Sequence, residues 1–412
     1  MRRWYRGGIT LIGAALALGL LAGCAGGTTS ANTKQLCIGT DLPTTGADGA
    51  RGKPAENGAR LAVDQAKLTN GYTLVLKATD DTINGRHNAT QGAANINALS
   101  SDPCILAVVG PLDDDVAAAT IPIAINAGLP LISPLSTTPG LTESANATAD
   151  GIDFSALRPA GKPNTFFRLT APDDVQAIAE VRLATAAGER HAYLVDDAST
   201  FGITMAAFFS QAFLAQGGVI AGHASLAATT PAALQTVVDS LRASSAPDVI
   251  FYAGQSPTGG ALRAALTASG LAALPLIGTS GIAGDPAFIQ AAGAAAAGTQ
   301  ATLATPDLSA LTSEAASQFT TAYAGRFSGQ PVAVSALAYD ATQVEIAAIN
   351  AVIISGNTPT RTNVLAQITR TSYAGLIGPI SFDANGDNVG SRIVSVYVVQ
   401  AQAWVYVKQI AL

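Results

Sequence analysis

The stretch from Gly110 to Thr142, GPLDDDVAAATIPIAINAGLPLISPLSTTPGLT, constrains the fold more than any other part of the chain. The unbroken apolar run Ile105–Val109 leads into it. A short apolar run bounded by turn residues reads as a strand buried on both faces. Asp113, Asp114 and Asp115 then open a run rich in Ala and Ile that stops at Gly128. Acids in the first turn and a glycine just past the end are helix start and stop signals. Leu129–Ile132 reads as the next strand, and it runs into the small hydroxyl residues Ser136, Thr137 and Thr138. Strand, helix, strand at this spacing places both strand ends at one edge of a parallel sheet, where open α/β proteins bind ligands. The stretch therefore predicts one half of a binding cleft, over which the rest of the chain closes.

The same alternation extends in both directions. Leu36–Thr40, Tyr72–Ala78 and Ile105–Val109 are predicted strands. Between them stand a helix that has Pro54 in its first turn and ends at Asn70-Gly71, and a second helix over Ala89–Leu99. Residues 146–164 lack periodicity and read as a long surface loop before the extended segment Phe166–Leu169. From Asp173 the pattern starts again. Helices are predicted at 175–187, 203–216, 232–243 and 260–269, with strands at 191–195, 219–223, 249–252, 274–277 and 299–304. Asp285-Pro286 has the form of an N-cap followed by proline at the first helical position. A helical block follows (308–327, 332–354, 361–369), and then antiparallel strands at 378–382, 393–400 and 404–410. The fold class is α/β, with two doubly wound lobes.

The amino terminus reads as an export signal. Arg2, Arg3 and Arg6 precede an apolar run from Thr10 to Leu21, which is too short to span a bilayer by itself. The run ends in Leu-Ala-Gly-Cys, which resembles a bacterial lipobox and implies lipidation at Cys24. An ordinary signal peptide with an incidental cysteine, or an uncleaved anchor, is the alternative. On the first reading residues 1–23 are a lipoprotein signal peptide and residues 24–35 a flexible tether. Cleavage leaves 389 residues, enough for two domains, and the loss of three arginines takes the formal charge from −6 to −9. An acidic chain with few aromatics has no electrostatic basis for binding nucleic acid. No second apolar run of membrane length is expected, so the body should be merely anchored, at the outer face of the cytoplasmic membrane or in the periplasm.

The sequence offers little that could do covalent chemistry. Its histidines, His87, His191 and His223, lack metal-like spacing, and no phosphate-binding glycine loop or nucleophile elbow is present. Asp383-Ala384-Asn385-Gly386-Asp387 begins like a calcium loop but has Asn388 and Val394 where that loop needs Gly and Glu, so it reads as a plain turn. The expectation is a binding protein, neither an enzyme nor a metal or cofactor carrier.

Five runs carry a resemblance. They are IGTDLPTTGADGARGKPAENGARLAV, VVGPLDDDVAAATIPIAINAGLPLISPLSTTPGLT, LRPAGKPNTFFRLTAPDDVQ, VIFYAGQSPTGGALRAAL and GPISFDANGD. Together and in this order they resemble the branched-chain amino acid (Leu/Ile/Val)-binding proteins of ABC importers. That resemblance implies a type I periplasmic-binding fold with Rossmann-like lobes joined by a three-crossing hinge. Lobe one would comprise 36–170 with 305–381, and lobe two 171–304 with 382–412. The crossings would lie near 169–172, near 301–306 and in or just after 380–383. It implies a monomer that captures a small molecule and presents it to permease subunits in the membrane. A ligand-sensing receptor of the same fold, uncoupled from transport, stays open as the alternative.

Carried over residue by residue, the resemblance implies a ligand site of Asp114, Asp115, Leu135, Ser136, Thr137, Phe201, Gln255 and Ser280. Asp113, Asp114 and Asp115 stand where the family places a serine or asparagine that holds the ligand carboxylate. Ser280 stands where it places the acid that pairs with the ligand ammonium. Both charge-reading positions therefore depart from the family. Either the aspartates cap the helix, or Asp114 or Asp115 faces the cleft and meets N–H groups of a neutral or cationic ligand, or of an amino acid in reversed pose. In a Rossmann-like lobe strands one and three are parallel neighbours. Cys37 and Cys104, at the starts of those strands, are therefore expected to form a disulfide, with two buried thiols as the alternative.

Overall fold

The computed structural model describes residues 34–412. The signal sequence, Cys24 and nearly all of the tether lie outside them. The first sheet is built from β1 (Gln35–Leu42), β2 (Thr73–Asp80), β3 (Ile105–Val109), β4 (Leu131–Ser133) and β5 (Phe166–Arg168). Its spatial order is β2-β1-β3-β4-β5, and every pairing is parallel. Helices α1 (Gly49–Gln65), α2 (Ala89–Ser101) and α3 (Asp114–Ala127) supply its crossovers. Alternate residues of β1 feed opposite faces. Leu36 and Ile38 pack toward α1, while Cys37 packs with Ile96 and Ile121 of α2 and α3.

The second sheet repeats that plan. α4 (Asp173–Ala187), β6 (His191–Asp196), α5 (Thr200–Ala215), β7 (Val219–Ser225), α6 (Pro231–Ala243), β8 (Val249–Ala253), α7 (Ser256–Ala268), β9 (Leu276–Gly278), α8 (Pro286–Ala292) and β10 (Gln300–Leu303) follow in chain order. The antiparallel pair β11 (Ile393–Gln400) and β12 (Ala403–Ala411) extends the sheet, giving the order β12-β11-β10-β9-β8-β6-β7. Each lobe thus reverses strand order between its first and third strands, and a doubly wound sheet opens its crevice at that switch point.

The chain passes between the sheets three times: after β5, after β10, and between the hairpin strand Gly378–Ile380 and β11. On the return to the first lobe it forms α9 (Glu314–Phe327), α10 (Ala333–Ile354) and α11 (Arg361–Ile368). The third crossing runs later than expected. Asp387 bridges to Arg168, and Phe382 to Asn388, so residues 382–388 lie along the first sheet rather than opening the second lobe. A buried ion pair fixes this strap, Arg168 Nε to Asp387 Oδ1 at 2.5 Å, with both side chains enclosed.

Several local expectations are corrected. α1 starts at Gly49, so Pro54 lies inside the helix instead of its first turn. The amide of Asp48 on the Gly85 carbonyl (3.2 Å) and the Asp48 carboxylate on the His87 amide (2.8 Å) hold the earlier start. α1 also ends sooner, at Gln65, and Asn70-Gly71 forms the positive-φ turn into β2. Residues 146–164 are not all loop, because one-turn helices at Ser144–Ala147 and Phe154–Leu157 bury Ala147 and Leu157. The strand at Gly378–Ile380 pairs with Tyr373–Gly375 in its own hairpin, not with the final strands. A second segment of membrane length does exist: α10 is 22 residues long and apolar enough by composition. It is a core helix, packed on α1, with Asp340 accepting the amides of Leu376 and Ile377 at 2.9 Å each.

Cys37 and Cys104 form a disulfide, their Cα atoms 5.1 Å apart. Cys37 is in register with Ile105 of the neighbouring strand, and its amide donates to the Cys104 carbonyl at 2.8 Å. The closed loop of 67 positions corresponds to roughly 4 kcal/mol in the chain-entropy account.

Candidate functional site

The switch points of the two lobes face one cleft, a cavity of about 380 Å³. Arg51, Leu112, Asp113, Asp114, Leu135 and Thr137 line it from the first lobe. Phe201, Gln255, Ser280 and Gly281 line it from the second, together with Leu303 at the end of β10 and Ala304 and Thr305 of the second crossing. Two glycines make the equivalent turns possible. Gly110, after β3, has φ +127° and would place a Cβ 2.2 Å from the Asp41 carbonyl oxygen. Gly254, after β8, has φ +155° and would meet the Asp197 carboxyl at 2.5 Å. Only glycine adopts such a φ at so close an approach, to backbone at Gly110 and to a side chain at Gly254, without strain.

Six of the eight expected residues line this cleft: Asp114, Leu135, Thr137, Phe201, Gln255 and Ser280. Asp115 does not. Its side chain is 58% exposed and points outward, its carboxylate 3.6 Å from His87 Nε2. Ser136 is fully buried behind the wall, where its carbonyl accepts the Thr170 hydroxyl at 3.0 Å.

The aspartate triplet divides into three roles, and only Asp115 serves the first turn of α3 itself, its Oδ1 accepting the Val116 amide at 2.9 Å. Asp113 is the N-cap residue but makes no side-chain cap bond; its Oδ1 instead takes Arg51 Nη2 at 2.5 Å. Burial raises the Asp113 carboxyl, and the Arg51 charge and hydrogen bond oppose that rise. Asp114 holds the hydroxyl loop: its Oδ1 accepts the amides of Thr137 (2.9 Å) and Thr138 (3.3 Å). Burial raises its carboxyl too, against the bonds from Thr138 and Thr137 and the charge of Arg168. The loop is fastened across the first crossing as well, since the Asp173 amide donates to the Thr137 carbonyl at 2.9 Å. Burial and the nearby Asp114 push the Asp173 carboxyl up to about 8.

The second-lobe wall is held from behind. Asp197 Oδ2 accepts the Gln255 amide at 2.8 Å, Tyr252 donates its hydroxyl to the Gln255 carbonyl at 2.9 Å, and Ser256 donates to the Gly281 carbonyl at 3.2 Å. Phe201 lies against Gly281. Among the described residues no group of three or more His, Cys, Asp or Glu is placed to hold a metal.

Sequence reasoning missed Arg51, Leu112, Asp113 as a lining residue, Gly281 and Leu303–Thr305. Arg51 was hidden because the glycine-rich segment reads as loop. Once α1 starts at Gly49, its first turn carries Arg51 to the end of β3.

Residues 35–403 match the sequence pattern of the periplasmic binding proteins. The chain belongs to that family. It is also 28% identical over 236 residues to a Leu/Ile/Val-binding protein of Rhizobium johnstonii, a stretch covering 55% of this chain and 57% of that relative, so the match spans little more than half of the relative's length. Two solved structures share the fold. The leucine-binding protein of Thermotoga maritima matches with a TM-score of 0.70 and 22% identity, over 91% of this chain and 98% of that one. A solute-binding protein of R. palustris in complex with benzoate matches with a TM-score of 0.67 and 20% identity, over 92% and 97%. The chain is therefore a periplasmic binding protein of type I architecture, a family of extracytoplasmic binding proteins.

Proposed function

We propose that this periplasmic binding protein is the solute-binding lipoprotein of an ABC importer. It captures a small polar ligand, an amino acid or a chemically related molecule, between its lobes and delivers it to a permease. The observation that carries this reading is the cleft itself. Strand ends of both lobes and the second crossing meet around a space of about 380 Å³, within the range of small-molecule sites. Three crossings at one side suit hinge closure about a ligand. The relatives bind leucine, isoleucine and valine, leucine, or benzoate by their names. Those molecules share one carboxylate on an apolar body. Leu112, Leu135, Phe201 and Leu303 offer an apolar body a matching surface, and Leu135, Thr137, Phe201, Gln255 and Ser280 would make the contacts on either side.

The Leu-Ala-Gly-Cys motif supports attachment through a lipidated Cys24, which tethers a monomeric domain within reach of its permease. Calorimetry of the exported domain against amino acids, aromatic acids, amides and amines tests the capture step. Saturable binding that Phe201→Ala weakens is expected, and no saturable binding from any class would sink the reading. Acyl labelling that persists in Cys24→Ala would remove the anchor from the proposal.

A further inference from the structure

We infer that Arg51 reads the ligand. On this inference the cleft takes apolar monocarboxylates through their carboxylate, held at the first-lobe wall, and its second-lobe wall offers no counter-charge to an α-ammonium. The inference rests on the reading that the cleft is the ligand site, and narrows it. Arg51 is the one cation among the residues that line the cleft. Among the described residues its guanidinium engages its neighbours through Nη2, with Asp113 at 2.5 Å, His87 Nδ1 at 3.3 Å and Asp48 Oδ2 at 3.9 Å. Its side chain is 36% exposed, so Nε and Nη1 remain for a fork-shaped pair with a carboxylate.

The acids of the same wall are differently placed. Asp114 Oδ1 is spent on two loop amides, and Asp113 gives Oδ1 to Arg51 while its Oδ2 is enclosed. The second-lobe wall, Phe201, Gln255, Ser280 and Gly281, holds no carboxylate. An ammonium lying against the second-lobe wall would lose water and gain only neutral oxygens, which is costly. A carboxylate gains a charged donor. Asp48 behind Arg51 is ionised at neutral pH, because burial, which raises its carboxyl, is outweighed by hydrogen bonds from His87 and by the Arg51 charge, which hold it below the ordinary value. Burial pushes Asp81 up to about 8 and Asp41 to about 7, so Asp81 is mostly uncharged.

The leucine skeleton separates the two groups. Calorimetry compares leucine, 4-methylpentanoate (which lacks the ammonium) and 3-methylbutylamine (which lacks the carboxylate) on the wild type, Arg51→Gln, Arg51→Lys and Phe201→Ala. 4-Methylpentanoate should bind at least as tightly as leucine, and the amine should give no saturable heat. Arg51→Gln should weaken 4-methylpentanoate roughly 10- to 100-fold, with Arg51→Lys, which keeps the charge and loses the fork, between it and wild type. Thermal melts of each variant separate misfolding from lost recognition. Leucine binding much more tightly than 4-methylpentanoate, saturable amine binding, no binding of 4-methylpentanoate, or an Arg51→Gln affinity equal to wild type each overturns the inference. If a ligand is weakened by Phe201→Ala but not by Arg51→Gln, the cleft stands and the role of Arg51 falls. If neither variant weakens any bound ligand, the cleft reading falls as well.

Discussion

The two walls of the cleft come from lobes of the same topology but solve different problems. Both present the ends of a first and third strand, and both use a glycine after the third to turn the chain. The first-lobe wall is ionic: Arg51, Asp113 and Asp114 face or floor the cleft, with Arg168 and Asp387 beneath. The second-lobe wall is neutral, and its one nearby acid, Asp197, is turned back onto the Gln255 amide. In a shared scaffold the topology places a site, while the side chains at its rim decide which charge it can read. Here one wall can hold and orient a charged group, and the other can only cover it.

The sharpest way to break this contrast is to remove the buried cation of the ionic side. Arg168→Met strands Asp387 in the interior and leaves the Thr138 carbonyl and the Thr142 hydroxyl without a donor. Denaturant unfolding should show a loss of about 3–5 kcal/mol. A loss under about 1 kcal/mol would mean that the strap contributes little and that the ionic wall is not held from below.

A smaller effect is expected at Asp114. Asp114→Ala deprives two loop amides of their acceptor in a closed setting and should cost about 1–3 kcal/mol. Hydrogen exchange should speed up at Thr137 and Thr138. Protection unchanged at both amides would show that the loop stands without the carboxylate.

Acid and alkali should also separate the walls. Burial raises Asp41 (about 7), Asp81 (about 8) and Asp340 (about 7) in the first lobe and Asp173 (about 8) at the start of the second. A carboxyl raised on folding binds its proton more tightly in the native state. Its contribution is full below the unfolded carboxylate range and is lost as pH rises through the folded value. Stability should therefore fall between about pH 5 and about pH 8.5, by at least a few degrees in Tm, where ~1 kcal/mol is about 2–4 °C in a chain of this size. Binding of an anion at Arg51 should weaken over the same range as Asp81 ionises. A Tm that rises steadily over this range would contradict the sign.

The smallest effect belongs to the neutral wall. Ser280→Ala should change stability by no more than about 0.5 kcal/mol. Its affinity for 4-methylpentanoate should change less than that of Arg51→Gln. If Ser280→Ala is the more damaging of the two to binding, the contrast between the walls is drawn the wrong way round.

Much of this was legible in the sequence because local pattern carries it. The apolar runs at 105–109 and 249–252, the acids and glycine that bound α3, and the Asp285-Pro286 start all depend on residues a few positions apart. Their alternation determines two doubly wound lobes, and the lobes determine which strand ends share an edge. That is why the neighbouring strands of Cys37 and Cys104 could be named from local pattern, whereas the six cleft residues were named through the resemblance of the five runs to the Leu/Ile/Val-binding proteins.

Tertiary structure alone decided what the charges do. Successive side chains at a helix start turn by about 100° each, so three adjacent aspartates point to three different neighbours. Asp115 takes the adjacent Val116 amide beside His87, but Asp113 reaches Arg51, 62 positions earlier, and Asp114 the loop at Thr137, 23 positions later. No local rule connects such positions. The direction of each carboxylate, and the emergence of Arg51 from what reads as loop into the cleft, were set by the packing of α1, α3 and the hydroxyl loop around one strand edge.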